Sequence, residues 1–211
     1  MHRTTQKNTA SILCWVGSIL LIVLALTWHY LLEPWGFYRA TEEKEASLRL
    51  NTVAAAQSYL GCRESDGSHE KIIDLYNSHE PLALGYQVQY TDSWCATFVS
   101  AVAIEQDLTD IIPTECGCER QIELWKALDR WEERDSYVPQ PGDLIYYDWN
   151  ETGSGDCTGW SDHVGIVVGT KWPYMKVIEG NKDDMVTYRT LLVDDVSIRG
   201  FGLPDYKSKL P

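Results

Sequence analysis

The longest apolar run lies at the start of the chain. Between Lys7 and Glu33 no Lys, Arg, Asp or Glu interrupts it, and residues 11–32 read SILCWVGSILLIVLALTWHYLL. No polar face breaks the run, which separates it from an amphipathic helix on a soluble core. About 20 apolar residues rising ~1.5 Å each match a hydrocarbon layer ~30 Å thick. Residues 11–32 are therefore expected to form a transmembrane signal anchor behind a cytoplasmic N-terminus at 1–10. Arg3 and Lys7 precede the run and Glu33 follows it, so the positive-inside rule sends residues 33–211 to the extracytoplasmic side. The competing reading is a cleaved signal peptide. That reading calls for a shorter apolar stretch and a small-residue cleavage site, which HYLLEPWG does not offer.

Beyond the anchor the pattern changes twice. Residues 33–50 are charged and lack a core pattern, as expected of a juxtamembrane spacer. LNTVAAAQSYL is Ala-rich and helix-favouring, and Gly61 stops it. EKIIDLYN fits a short helix with Ile72, Ile73 and Leu75 inward, and residues 78–93 read as loop. TDSWCATFVSAVAIEQ then places Ala96, Val99 and Ala103 on one helical stripe with Phe98 and Val102 beside it, and Asp92 or Ser93 can cap. ERQIELWKALDRWEERD predicts another helix, burying Ile122, Leu124, Trp125 and Leu128.

After Pro139-Gln-Pro-Gly the period shortens. DLIYYDW, HVGIVVG, YMKVIEG and DMVTYRTLLV are short β-branched and aromatic runs bounded by Gly, Pro and Asp. Helices first and strands afterwards predict an α+β domain with an antiparallel sheet over residues 51–211.

Charge narrows the function classes. With 31 acidic and 18 basic residues the net charge is −13, which argues against nucleic-acid binding, since phosphate contacts need a basic face. Arg3 and Lys7 are the only charged residues before Glu33, so residues 33–211 carry −15. Such a surface is repelled by anionic headgroups, and the apolar segment must supply any attachment to the lipid bilayer.

Of the six cysteines, Cys14 lies in the anchor. Cys95 stands at the start of a predicted helix, where backbone N–H groups and the helix dipole favour a thiolate. A thiol nucleophile needs a base. His69 and His79 sit in polar loops, whereas His163 opens an apolar strand and is held at a rigid position. On the next strand Glu179 follows Val177 and Ile178. An antiparallel hairpin turning near residue 171 brings residue 163 beside 179, so Glu179, or Asn181 beyond it, can reach the imidazole. Asp162 is a rival carboxylate, disfavoured because adjacent strand residues point to opposite faces.

Cys118 opens the next helix and is the second-choice nucleophile. Cys62, Cys116, Cys118 and Cys157 can form two disulfides or remain free thiols. Cys116-Gly-Cys118 lacks the spacing and companion His cluster of a zinc site. Trp94, Trp149 and Trp160 flank these segments. Trp94, next to Cys95, is the one expected to face a substrate cleft, and core packing is expected for most others.

The succession WCATFVSAV, P-x-PGDLIYYDW, SDHVGIVVG and VIEGN resembles the CHAP (cysteine, histidine-dependent amidohydrolase/peptidase) domain, over roughly residues 51–206. The resemblance implies a papain-like (NlpC/P60-like) fold and cleavage of amide bonds in peptidoglycan. It implies Cys95 as nucleophile, His163 as base, Glu179 as orienting acid and Asn181 as a further polar active-site residue. The activity implied is that of an N-acetylmuramoyl-L-alanine amidase or a peptide endopeptidase. Alternatives are an NlpC/P60-type endopeptidase, which usually lacks the Glu-x-Asn pair, and a catalytically silent anchored module. Some relatives carry a calcium loop before the cysteine. Here GYQVQYTDSWC holds Asp92 as its only acid, so no calcium, and no cofactor, is expected.

Overall fold

The computed structural model describes residues 5–150 and 159–210; within its first helix, side chains are described for residues 19–24, 27–28 and from 38 onward. The chain divides into two compact units, Met1–Lys44 and Glu45–Pro211. The described residues of the first belong to α1, Thr5–Ser58. Among the described residues no helix is long and apolar enough to cross a membrane. Most side chains of the expected anchor, residues 11–32, lie outside the described residues. Of those described, Ile19, Leu20, Leu21, Ile22, Val23, Leu24 and Trp28 are exposed.

The second unit starts earlier than the expected boundary at residue 51. Arg49 donates to Asp143 Oδ1 at 2.7 Å and to the Pro141 carbonyl at 3.2 Å, and Leu48 packs on the core. The rest of Asp143 is spent on the Gln140 N–H and the Tyr137 hydroxyl, as expected of a carboxylate that closes the turn before a strand. A charged segment thus docks by one buried ion pair, a device that hydrophobic periodicity does not reveal.

Three further helices follow: α2 (Glu70–Asn77), α3 (Cys95–Glu105) and α4 (Cys118–Ala127). Six strands then form one sheet in the order β1-β6-β2-β3-β4-β5, every pair antiparallel. They are β1 (Trp131–Glu132), β2 (Leu144–Tyr147), β3 (His163–Lys171), β4 (Tyr174–Lys182), β5 (Met185–Leu192) and β6 (Ile198–Gly202). This is the α+β arrangement the pattern predicts.

Helix α3 packs against α2 on one side and against β3 and β4 on the other. Its residues Cys95 to Ala103 are all buried, so it is a central helix and the single stripe expected of it is too narrow. Small side chains (Ala96, Ala101, Ala103) let both layers approach. The approach is closest at Gly180 on β4, where a Cβ would stand 2.4 Å from Phe98 Cβ.

Two expectations fail at α4. The helix ends at Ala127 and its buried residues are Cys118, Gln121, Ile122 and Trp125, while Leu124 and Leu128 are exposed. Trp131–Glu132 leaves the helical pattern to pair with β6, Trp131 opposite Gly202. A two-residue edge strand made of Trp and Glu carries no alternation, so only its pairing partner defines it.

Side chains of the sheet alternate between two apolar layers. Leu144, Tyr146, Val164, Ile166 and Ile178 face the helices. Ile145, Tyr147, Val167, Val177, Ile198 and Phe201 form a second cluster on the opposite face.

Candidate active site

Cys95 is the first residue of α3, and its sulfur receives the Ala96 backbone N–H. The helix starts beside the ends where β3 begins and β4 finishes, and there Cys95 meets His163. Register explains the rest. Tyr147 lies directly opposite His163 across β2 and β3, and the two rings stack at 5.9 Å. On the other flank Ile166 pairs with Ile178, which brings Gly165 alongside Glu179. A Cβ on Gly165 would stand 2.8 Å from Glu179 Cγ, so the missing side chain leaves room for the carboxylate to lean toward the imidazole.

Glu179 is fully buried and its two oxygens are committed. Oε2 lies 3.2 Å from His163 Nε2. Oε1 accepts from the Tyr147 hydroxyl at 2.9 Å and from Arg189 Nε at 2.7 Å. A buried carboxylate is tolerable only with partners of this kind. Burial pushes its pKa up, but the bonds to His163 and Arg189 outweigh this and hold it below the usual carboxylate value. With Nε2 engaged by Glu179, Nδ1 is the ring nitrogen left for the thiol.

The Cys95–His163 pair titrates accordingly. The Cys95 thiol is held well below its ordinary value, first by a hydrogen bond from Cys118, then, against the opposing effect of burial, by bonding and charge attraction from His163. Burial works against imidazolium at His163, but the hydrogen bonds to Cys95 and Glu179, with their charges, push its pKa up to about 9. The favoured state near neutral pH is a thiolate–imidazolium pair.

The structure thus brings Cys95, His163 and Glu179 together. Asn181 arrives by a different route. It borders the cleft beside His163 with φ of 55°. Oriented to satisfy its amide, it donates to Glu64 Oε1 and accepts from the Trp94 backbone N–H, both at 3.2 Å. It therefore holds the peptide preceding the cysteine, and its amide is not bonded to the imidazole.

Trp94 corrects the expectation of a cleft-facing ring. It is 0% exposed, donates Nε1 to Glu64 Oε1 at 3.0 Å and packs 5.7 Å from the His69 ring. Adjacency to Cys95 in sequence does not carry over to direction, because successive residues at a helix start diverge. The aromatic wall is Trp149, 45% exposed, stacked 4.7 Å from Tyr147, with the Arg189 guanidinium 4.8 Å from its ring centre. Trp149, His163, Asn181, Lys182, Asp183 and Arg189 line a cleft of about 240 Å³. Cys95 itself is 7% exposed.

The remaining assignments sort by geometry. Asp162 accepts the Trp149 N–H at 2.8 Å, so this rival carboxylate braces the loop. Cys62, Cys95, Cys116 and Cys118 are free thiols, and Cys157 lies outside the described residues. Cys118 Sγ is 3.6 Å from Cys95 Sγ. Among the described residues no group of three or more His, Cys, Asp or Glu is placed to hold a metal ion. Asp92 takes hydrogen bonds from the Tyr86 hydroxyl and the Gln89 N–H within its own loop.

Tyr147, Arg189 and Glu64 are site residues that sequence reasoning passed over. Tyr147 read as one more strand aromatic. Arg189 could have been found by counting register from Glu179 onto the next strand, where it stands diagonally across on the same face. Glu64 lies in a short 3-10 turn and carried no signal.

No curated protein matches the chain. Among solved structures, the crystal structure of Ly7917 aligns with a TM-score of 0.35 at 15% identity, over 52% of this chain and 53% of that one, about half of its length. The model of the CHAP domain covers residues 85–181, from the loop before Cys95 to Asn181, and leaves α2, β5 and β6 outside. The chain is thus similar to the CHAP domain over residues 85–181, and domains of that family are generally cysteine- and histidine-dependent amidohydrolases or peptidases.

Proposed function

We propose that this protein is a cysteine hydrolase that cleaves amide bonds in peptidoglycan, as an N-acetylmuramoyl-L-alanine amidase or a peptide endopeptidase. The observation that carries the reading is the Cys95–His163–Glu179 constellation, with the thiolate favoured at a helix start and the imidazole oriented by a buried carboxylate. The Cys95 thiolate attacks the amide carbonyl, and its electron pair forms the C–S bond while the carbonyl oxygen takes the charge. Backbone N–H groups at the start of α3 stabilise that oxyanion. His163, charged at the outset, protonates the departing amine; water activated by the neutral imidazole then hydrolyses the thioester. Glu179 keeps the ring in one tautomer and stabilises its charged form. Trp149 offers an aromatic surface to the substrate at the cleft mouth, and Asn181 sets the position of Cys95 through the Trp94 peptide.

The proposal includes tethering: residues 11–32 span the cell membrane once, with the catalytic domain extracytoplasmic. It rests on the charge-free interval from Lys7 to Glu33 and on the exposed apolar side chains from Ile19 to Leu24. Surface so apolar is unusual in water and ordinary in lipid.

The deciding experiment is digestion of purified peptidoglycan by the full-length protein in detergent, with mass analysis of the products. Release of fragments cut at one amide class, absent with Cys95→Ala, is the expected result and names the bond. Undigested sacculi with active-folded wild type, or equal cleavage by Cys95→Ala, overturn the proposal. Retention in the membrane pellet through alkaline carbonate washing tests the tether, and release by the wash rejects it.

A further inference from the structure

Cys118 supports the Cys95 thiolate by a hydrogen bond but takes no covalent step in the mechanism above, although its sulfur lies 3.6 Å from the one that does. Cys95 and Cys118 are each the first residue of a helix, α3 and α4. Their sulfurs stand 3.6 Å apart, both buried. A disulfide needs about 2.05 Å, so roughly 1.5 Å of closure separates the dithiol from the bond.

The turn carrying Cys118 is held from several sides. Glu115 Oε1 accepts the backbone N–H of Cys116 at 2.8 Å and of Gly117 at 3.3 Å. The Glu115 backbone exchanges hydrogen bonds with Ser100 on α3, N–H to Oγ at 2.9 Å and Oγ–H to carbonyl at 2.7 Å. Glu119 receives the Ser161 N–H at 3.0 Å, two residues before His163. The second sulfur is thus anchored to the nucleophile helix and to the histidine strand together.

We propose that Cys118 is a resolving thiol: an oxidant that modifies Cys95 is answered by a Cys95–Cys118 disulfide, which switches the nucleophile off reversibly and shields it from deeper oxidation. The oxidant class is a peroxide. The Cys95 thiolate attacks the O–O bond, forming Cys95–SOH and releasing hydroxide, which takes a proton to become water. The Cys118 sulfur then attacks the Cys95 sulfur. The S–S bond forms as the S–O bond breaks, and the leaving hydroxide takes the proton that Cys118 gives up. Two thiols and one peroxide become one disulfide and two waters: the sulfur pair loses two electrons and the peroxide gains them. A dithiol reductant reverses the change by exchange. The selection of Cys95 as the sulfur attacked first follows from its thiolate character, and His163, which carries a proton up to about pH 9, is placed to supply one to the departing hydroxide. The loss of activity rests on the hydrolase reading; the sulfur chemistry does not.

The test treats the full-length protein with hydrogen peroxide, then maps its thiols by peptide mass. The expected product has lost two hydrogens, with Cys95 and Cys118 peptides joined, and peptidoglycan cleavage falls at least ~10-fold and returns with dithiothreitol. In Cys118→Ala, and in Cys118→Ser should the alanine variant fold poorly, peroxide leaves Cys95 as sulfenic acid that a cyclic diketone traps, then as sulfinic acid. Each variant then fails to recover its own untreated activity. Cys95 oxidised without the joined peptide, Cys95 joined instead to Cys14, Cys62, Cys116 or Cys157, or unchanged recovery in both Cys118 variants overturns the proposal. If the joined peptide forms but reduced wild type cleaves nothing, the hydrolase reading fails and the resolving thiol stands.

Discussion

Two cysteines open two helices in this molecule and end with opposite chemistry. Cys95 begins α3 and is held well below the ordinary thiol value, while Cys118 begins α4 and is pushed well above it, first by its hydrogen bond to Cys95 and then by burial. Helix position, burial and residue type are the same for both, so none of these decides which sulfur carries the charge. Neighbours do. Cys95 faces an imidazole that a buried carboxylate keeps charged; Cys118 faces a sulfur that has already taken the negative charge. A helix N-terminus favours a thiolate by roughly 1 kcal/mol, too little to hold two adjacent thiolates in one low-dielectric pocket. One proton stays, and it stays on Cys118.

The comparison breaks most easily at the sulfurs themselves. Cys95→Ala is expected to lower peptidoglycan cleavage at least ~1000-fold, whereas Cys118→Ala lowers it about tenfold, the worth of one hydrogen bond to a charged sulfur. Steady-state rates on purified peptidoglycan check both, and equal losses erase the distinction between the two helix starts. Next in size is His163→Ala, expected to cost ~1000-fold or somewhat less through loss of the general acid and base. Glu179→Gln is smaller, about 10- to 100-fold, since the ring keeps its place between Tyr147 and Cys95 but loses the charge that supports imidazolium.

The pH profile sharpens the same contrast. His163 has its pKa raised to about 9, so the thiolate–imidazolium pair is complete at neutral pH and is lost as pH rises through that value. Cleavage is expected to fall on the alkaline side near there, and in Glu179→Gln the fall moves to lower pH. On the acid side, activity drops only where Cys95 takes up a proton, below the ordinary thiol range. The smallest effect concerns alkylation. In wild type the rate with iodoacetamide is expected to stay high into mildly acidic solution. In Cys118→Ala, without the sulfur–sulfur hydrogen bond that supports the thiolate, the rate profile shifts alkaline and the rate near pH 6 falls severalfold. An unchanged profile places the whole effect in His163.

Much of the site could be read before any coordinate. Cys95 announced itself as a thiol at a helix start, His163 as an imidazole opening an apolar strand, and Glu179 as the partner that one hairpin register supplies. Local periodicity suffices for these because each is defined by the element that carries it. Trp94 and Trp149 show where this stops. The aromatic residue adjoining Cys95 in sequence is wholly buried on Glu64, and the one fifty-five residues later forms the cleft wall. The direction of a side chain at an element's end depends on what packs against it, and periodicity says nothing of that. Leu124 and Leu128 failed for the same reason: α4 is short, so its inward face was chosen by Trp125 meeting Tyr146 and by Gln121 meeting Pro113.

By itself, the sequence determined the class of fold, the order of elements, the acidic character and the convergence of Cys95, His163 and Glu179, since these depend on residue type and on contacts within or between neighbouring elements. Only the tertiary structure decided that Tyr147 and Arg189 complete the Glu179 shell, that Asn181 serves the Trp94 peptide, and that Cys118 sits against Cys95. Apart from Arg189, ten residues from Glu179 on the neighbouring strand, these join residues well separated in the chain, through sheet register or helix docking. Such distances are set by the packing of the whole core, and for the strand residues Tyr147, Glu179 and Arg189 a shift of one position would turn the side chain to the other face.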